Sequence, residues 1–72
     1  MIEAQLQSIS YRHPSSGYTV LKFRNAEEGW FTGKGSFLEE PEVGMRFQIQ
    51  GRWVEHAKFG NQLDISNMEA LA

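Results

Sequence analysis

Met45-Arg46-Phe47-Gln48-Ile49-Gln50-Gly51-Arg52-Trp53-Val54-Glu55 is the stretch that decides the fold. Met45, Phe47, Ile49, Gly51 and Trp53 alternate there with Arg46, Gln48, Gln50 and Arg52. Successive side chains of a strand point to opposite faces, so this alternation separates an apolar face from a polar one. Residues 45–55 therefore read as a long, half-buried strand with the first set turned inward. Truncating Phe47 or Trp53 to alanine is expected to cost ~3–5 kcal/mol.

The same period recurs on both sides of this segment. Upstream, Thr19, Leu21 and Phe23 alternate with Tyr18, Val20, Lys22 and Arg24, after a turn signal at Pro14-Ser15-Ser16-Gly17. Residues 2–12 carry Ala4 and Leu6, then Ile9 and Tyr11, so the apolar phase slips by one. A β-bulge near Gln7-Ser8 restores the phase and bends the strand, which lets it serve both sides of a barrel. A third strand, about 30–37, puts Phe31, Gly33, Gly35 and Phe37 in one phase and Trp30, Thr32, Lys34 and Ser36 in the other. Leu38-Glu39-Glu40-Pro41-Glu42-Val43-Gly44 is too short and too rich in breakers for a solid helix. A loop at 56–60 leads into a last strand holding Leu63 and Ile65. Five short strands in one 72-residue chain predict an all-β, five-stranded OB-type (oligonucleotide/oligosaccharide-binding) barrel, with an SH3-like barrel as the competitor.

The chain is expected to be a single domain spanning residues 1–72. It has no cysteine, so neither a disulfide nor a thiolate metal site can support it. Its stability rests on five Phe, two Trp, two Tyr and three Met together with Leu, Ile and Val. Met1-Ile2-Glu3-Ala4-Gln5 lacks the basic start and apolar run of a signal peptide, and no apolar run reaches the ~20 residues of a membrane span. The expectation is a cytoplasmic protein with no membrane partner. A formal net charge of −2 argues against strong autonomous DNA binding while leaving room for a local basic face.

Catalytic motifs are lacking. His13 and His56 have no carboxylate partner placed by a recognisable motif, so seryl or threonyl nucleophiles are not activated. Two distant histidines do not make a metal site, and Glu39, Glu40 and Glu42 read as a solvated charge run. Gly33-Lys34-Gly35-Ser36 lacks the spacing of a phosphate loop. The chain is therefore expected to bind no cofactor and to catalyse nothing by itself.

The outer face of the second and third strands is richer. A hairpin register with Arg24 opposite Trp30, Lys22 opposite Thr32 and Val20 opposite Lys34 gathers Tyr18, Lys22, Arg24, Trp30 and Lys34 outside the barrel. Three cations can follow a phosphate backbone while two rings stack on bases. The flanking loops add Arg12 and His13 on one side, and His56, Lys58 and Phe59 on the other. The same positions also fit a bland reading. Lysines and arginines point outward on any half-buried strand, Trp30 can cap the barrel rim, His56 can be a solvated loop residue, and Phe59 can plug the core under its loop.

Gly17-Tyr18-Thr19-Val20-Leu21, followed by Gly51-Arg52-Trp53-Val54-Glu55-His56-Ala57-Lys58-Phe59-Gly60-Asn61-Gln62, resembles the N-terminal OB-like domain of bacterial RecD-like DNA helicases. These are the RecD/TraA-type, exodeoxyribonuclease V alpha-subunit-like proteins of DNA repair and recombination. The likeness runs from about Ile2 to Asn67 and includes Tyr11-Arg12 before the first turn. It implies an accessory domain from the N-terminus of a larger superfamily 1 motor that hydrolyses ATP with Mg and moves 5′ to 3′ on single-stranded DNA. The implied partners are single-stranded DNA and the motor domains of the same polypeptide. The alternative is a structural domain that docks on the motor or another protein through Trp30 and Phe59, without touching DNA. Two features depart from the family pattern: Gly33 stands where a β-branched residue is expected, and the acidic 39–42 loop lowers the positive potential.

Overall fold

Five strands account for most of the chain in a computed structural model that describes residues 1–58 and 60–71. They are β1 (Ile2–Arg12), β2 (Tyr18–Asn25), β3 (Gly29–Ser36), β4 (Arg46–His56) and β5 (Gly60–Ala70). The order around the closed barrel is β1-β2-β3-β5-β4, with β1 returning to β4. All pairs are antiparallel except β3 with β5. The first strand does double duty: Ile2–Gln5 pair with Ile49–Arg46, and Gln5–Arg12 pair with Arg24–Thr19. A long, bent first strand shared by both halves, closed by a parallel β3–β5 contact, is the OB arrangement rather than the SH3-like one.

The bend comes from bulges. Pairing of β1 with β2 slips between Leu6 and Ser8, where the apolar phase requires it, and again between Ile9 and Tyr11. The second slip is not visible in the apolar pattern. It corrects the inward placement of Tyr11, whose ring turns outward and is exposed. A bulge adds a residue without adding a step of alternation, so everything after it changes face.

Inside the barrel, Ala4, Leu6, Leu21, Phe23, Phe31, Phe47, Ile49 and Leu63 form the buried core. Ile2, Ile9, Phe37, Met45, Ile65 and Met68 pack around it. Phe23 stacks on Phe31 with ring centroids 5.4 Å apart. Of the inward set of β4, Phe47 and Ile49 are buried as the alternation demands. Gly51 lies exposed where the β4–β5 register shifts after Gln50. Trp53 keeps the inward phase opposite buried Leu63 and meets Phe31 edge-on at 5.4 Å, yet it is 40% exposed. It closes the mouth of the barrel rather than its centre, which corrects its reading as a core residue equal to Phe47.

Gly33 has a steric reason. A Cβ at that position would stand 2.8 Å from Ile65 Cδ1 and 3.0 Å from Phe23 Cε2. The volume that a β-branched residue would fill is already taken by the Ile65 side chain and the Phe23 ring. Residues 38–44 form bends and a turn with no helix, and the segment is pinned at both ends. The Phe37 amide donates to the Gly17 carbonyl (3.0 Å), and the Gly44 amide donates to that of Leu6 (2.8 Å).

Candidate nucleic-acid interface

The β2–β3 hairpin sets the geometry of the outer face. Its register pairs Arg24 with Trp30, Lys22 with Thr32, Val20 with Lys34 and Tyr18 with Ser36, without a slip. Paired residues share a face. Because Leu21, Phe23 and Phe31 are buried, the intervening residues face solvent. Lys22 and Arg24 are exposed, Trp30 is 61% exposed, Tyr18 is partly so, and Lys34 is half-buried.

These side chains are arranged rather than scattered. The Arg24 guanidinium lies over the Trp30 ring, 5.8 Å from its centroid, a cation–π pair that steadies an otherwise exposed indole. Lys22 Nζ donates to Thr32 Oγ1 at 2.9 Å, which holds the ammonium over the middle of the hairpin. At the other end Tyr18 meets Tyr11 with centroids 6.4 Å apart and planes tilted by 56°. A shallow groove starts at Tyr18, with Val20, Lys22, Thr32, Lys34, His56 and Gln62 on its walls, and Trp30 lines a second depression that shares Lys22 and Thr32 with it. His56 Nδ1 accepts from the Lys58 amide (3.2 Å), which shapes the β4–β5 turn beside the groove. Phe59 lies outside the described residues.

Arg12 and His13 have other work. Arg12 is half-buried, and both of its terminal nitrogens are engaged within the chain. Nη1 donates to Thr19 Oγ1 (2.8 Å) and the Gly17 carbonyl (3.4 Å); Nη2 donates to the carbonyls of Phe37 (3.2 Å) and Leu38 (3.4 Å). Thr19, the buried polar side chain of this corner, in turn donates to the Gly17 carbonyl at 2.9 Å. Arg12 thus ties the end of β1 to the start of β2 and to the segment leaving β3. Gly17 allows this closeness: its φ is +77°, and a Cβ would stand 2.3 Å from the Phe37 carbonyl oxygen. The His13 ring accepts from the Ser16 amide (3.3 Å) and exchanges a hydrogen bond with Ser15 Oγ (3.1 Å), organising the turn.

Three contributors were not singled out in the sequence. Thr32 was legible, since it lies in the outward phase of β3. Gln62 enters through the parallel pairing of β5 with β3, which leaves no local mark. Tyr11 enters through the second bulge of β1.

The rest of the surface is less suited to a polyanion. A depression between Met1–Glu3 and the β2–β3 turn is lined by Glu3, Glu27 and Glu28 against Arg46, which pairs with Glu3 at 3.7 Å. The glycine-rich stretch of β3 does not form a phosphate loop either. Gly33-Lys34-Gly35-Ser36 is strand, with Gly33 and Lys34 paired on both sides, so its amides make no cradle. Among the described residues, no group of three or more His, Cys, Asp or Glu is placed to hold a metal ion.

Comparison with curated proteins and with solved structures finds no match. A family model described as "ATP-dependent DNA helicase YrrC, OB-fold domain" matches residues 1–72, the whole chain. With the closed five-stranded barrel already in view, the chain belongs to the family of OB-fold domains of the ATP-dependent DNA helicase YrrC.

Proposed function

We propose that this barrel is the accessory module of a RecD-like 5′–3′ DNA helicase and that it receives single-stranded DNA on the outer face of β2 and β3. The observation that carries the reading is the unbroken hairpin register, which sets Lys22, Arg24, Trp30 and Lys34 on one outward face. Ammonium and guanidinium groups attract phosphates without regard to sequence, and an exposed indole stacks on any base. Tyr18 and His56 border the same surface. ATP and Mg are used by motor domains elsewhere in the parent polypeptide, which acts in DNA repair and recombination in the cytoplasm. The module holds or guides the strand and carries out no chemistry.

A second reading has its own observation. Leu38 is wholly exposed and Val43 is about half exposed, on a loop that also carries Glu39, Glu40 and Glu42. Such an aliphatic and acidic loop suits docking onto a basic protein surface such as the motor domains. The two readings use different surfaces and are compatible.

Titration of a labelled single-stranded oligonucleotide at low salt, with the wild type and with a Lys22→Glu/Arg24→Glu double variant, tests the first reading. Wild-type binding that the double reversal abolishes while the thermal melt is preserved is the expected result. Equal affinity in both proteins would move the contact to another face.

A further inference from the structure

The outer face of the β2–β3 hairpin carries a ring near each end. Trp30 stands at one end under Arg24, and Tyr18 stands at the other, buttressed by Tyr11. Tyr18 pairs with Ser36, six residues beyond Trp30 on β3. At ~3.3 Å per residue the two rings are about 20 Å apart along the hairpin. Lys22, Thr32 and Lys34 lie between them. The flanks differ. Towards β5, exposed Asp64 pairs with Lys34 in the parallel register, so a carboxylate stands beside the lysine. Towards β1, the neighbours are the hydroxyl residues Ser8, opposite Lys22, and Ser10, on the groove wall. A polyanion crossing the sheet from β3 to β5 at Lys34 meets Asp64. One that follows the hairpin between the two rings meets cations, hydroxyls, Val20 and Gln62, and no carboxylate on β2 or β3.

We infer that the site seats a single strand lengthwise along β2 and β3, about four nucleotides long, with its end bases stacked on Trp30 and Tyr18 and its phosphates on Arg24, Lys22 and Lys34. An extended strand covers on the order of 6 Å per nucleotide, roughly twice the B-form rise, so about 20 Å holds three intervals and four bases. That is the lower end of the ~4–16 nucleotides typical of an OB barrel. The inference rests on the single-strand reading proposed above and adds a direction and a length to it.

The test uses the full chain and oligothymidylates of 2, 3, 4, 6 and 10 nucleotides at low salt, followed by tryptophan fluorescence. Affinity is expected to climb steeply up to four nucleotides and to gain only a few-fold beyond. In the four-nucleotide ligand, an abasic residue at either end weakens binding about 5- to 100-fold, the range of one base–aromatic stack. An abasic residue at either inner position changes it less than about 3-fold on the same scale. Trp30→Ala removes the sensitivity at one end and Tyr18→Ala at the other. Affinity that rises evenly through ten nucleotides, or inner positions as sensitive as the ends, overturns the lengthwise seat while binding itself stands. Failure of the ten-nucleotide ligand to bind at low salt overturns the single-strand reading and the seat with it.

Discussion

Replacing Arg12 with alanine separates a structural clamp from a phosphate contact. Its two shorter hydrogen bonds, to Thr19 Oγ1 at 2.8 Å and to the Phe37 carbonyl at 3.2 Å, are the ones that carry energy. Hydrogen bonds to charged groups contribute ~1.5–3 kcal/mol each, less where water reaches them, which gives a loss of about 2–4 kcal/mol for this half-buried pair. For a domain of this size each kcal/mol moves the melting temperature by ~4–8 °C, so the melt is expected to fall by about 10–30 °C. That is a large share of the ~4–11 kcal/mol expected for 72 residues. Lysine lacks the planar fork by which two separate nitrogens serve these two acceptors, so Arg12→Lys is expected to recover no more than half of the loss. Thermal denaturation followed by circular dichroism reads the effect. A melt within ~3 °C of the wild type, together with weakened oligonucleotide binding, would refute the clamp and return Arg12 to the binding surface.

Other expectations follow from burial. Phe47→Ala should cost ~3–5 kcal/mol, as for any large buried side chain, whereas Trp53→Ala at the barrel mouth should cost about half as much; equal midpoint shifts in urea denaturation would place Trp53 in the core after all. Gly33→Val should destabilise the barrel by ~1–3 kcal/mol through overpacking. The second change Ile65→Val, which removes the nearest atom, should restore part of that loss, and strict additivity of the two costs would show that the contact with Ile65 is not the cause. Trp30→Ala should leave the melting temperature nearly unchanged, because the ring is 61% exposed, and should weaken single-strand binding about 5- to 100-fold.

Strand content, hairpin register and most of the core were legible because they follow from local alternation. The pairing of Arg24 with Trp30, Lys22 with Thr32 and Val20 with Lys34 needs only a short turn between two strands in phase. The first bulge of β1 was legible for the same reason, since Leu6 and Ile9 cannot both face inward without it. The second was not. Tyr11 suits either face, so the apolar pattern carries no trace of the slip at Ser10. Arg12 misled for a related reason: a cation beside a turn normally faces water, and only the approach of Phe37 and Leu38 from a distant part of the chain provides the carbonyls that draw it in. The strand pairs that distinguish an OB barrel from an SH3-like one, β1 with β4 and β3 with β5, are likewise long-range. β5 itself runs on to Ala70, past Ile65, where Asn67, Met68 and Glu69 alternate too weakly to advertise a strand.

The salt dependence of binding bears most directly on the claim that this face grips a phosphate backbone. With Arg24, Lys22 and Lys34 each neutralising one phosphate, the plot of log affinity against log salt for a short single strand should be linear with a slope of about −2. A slope near zero, or no binding at the lowest salt, would contradict it.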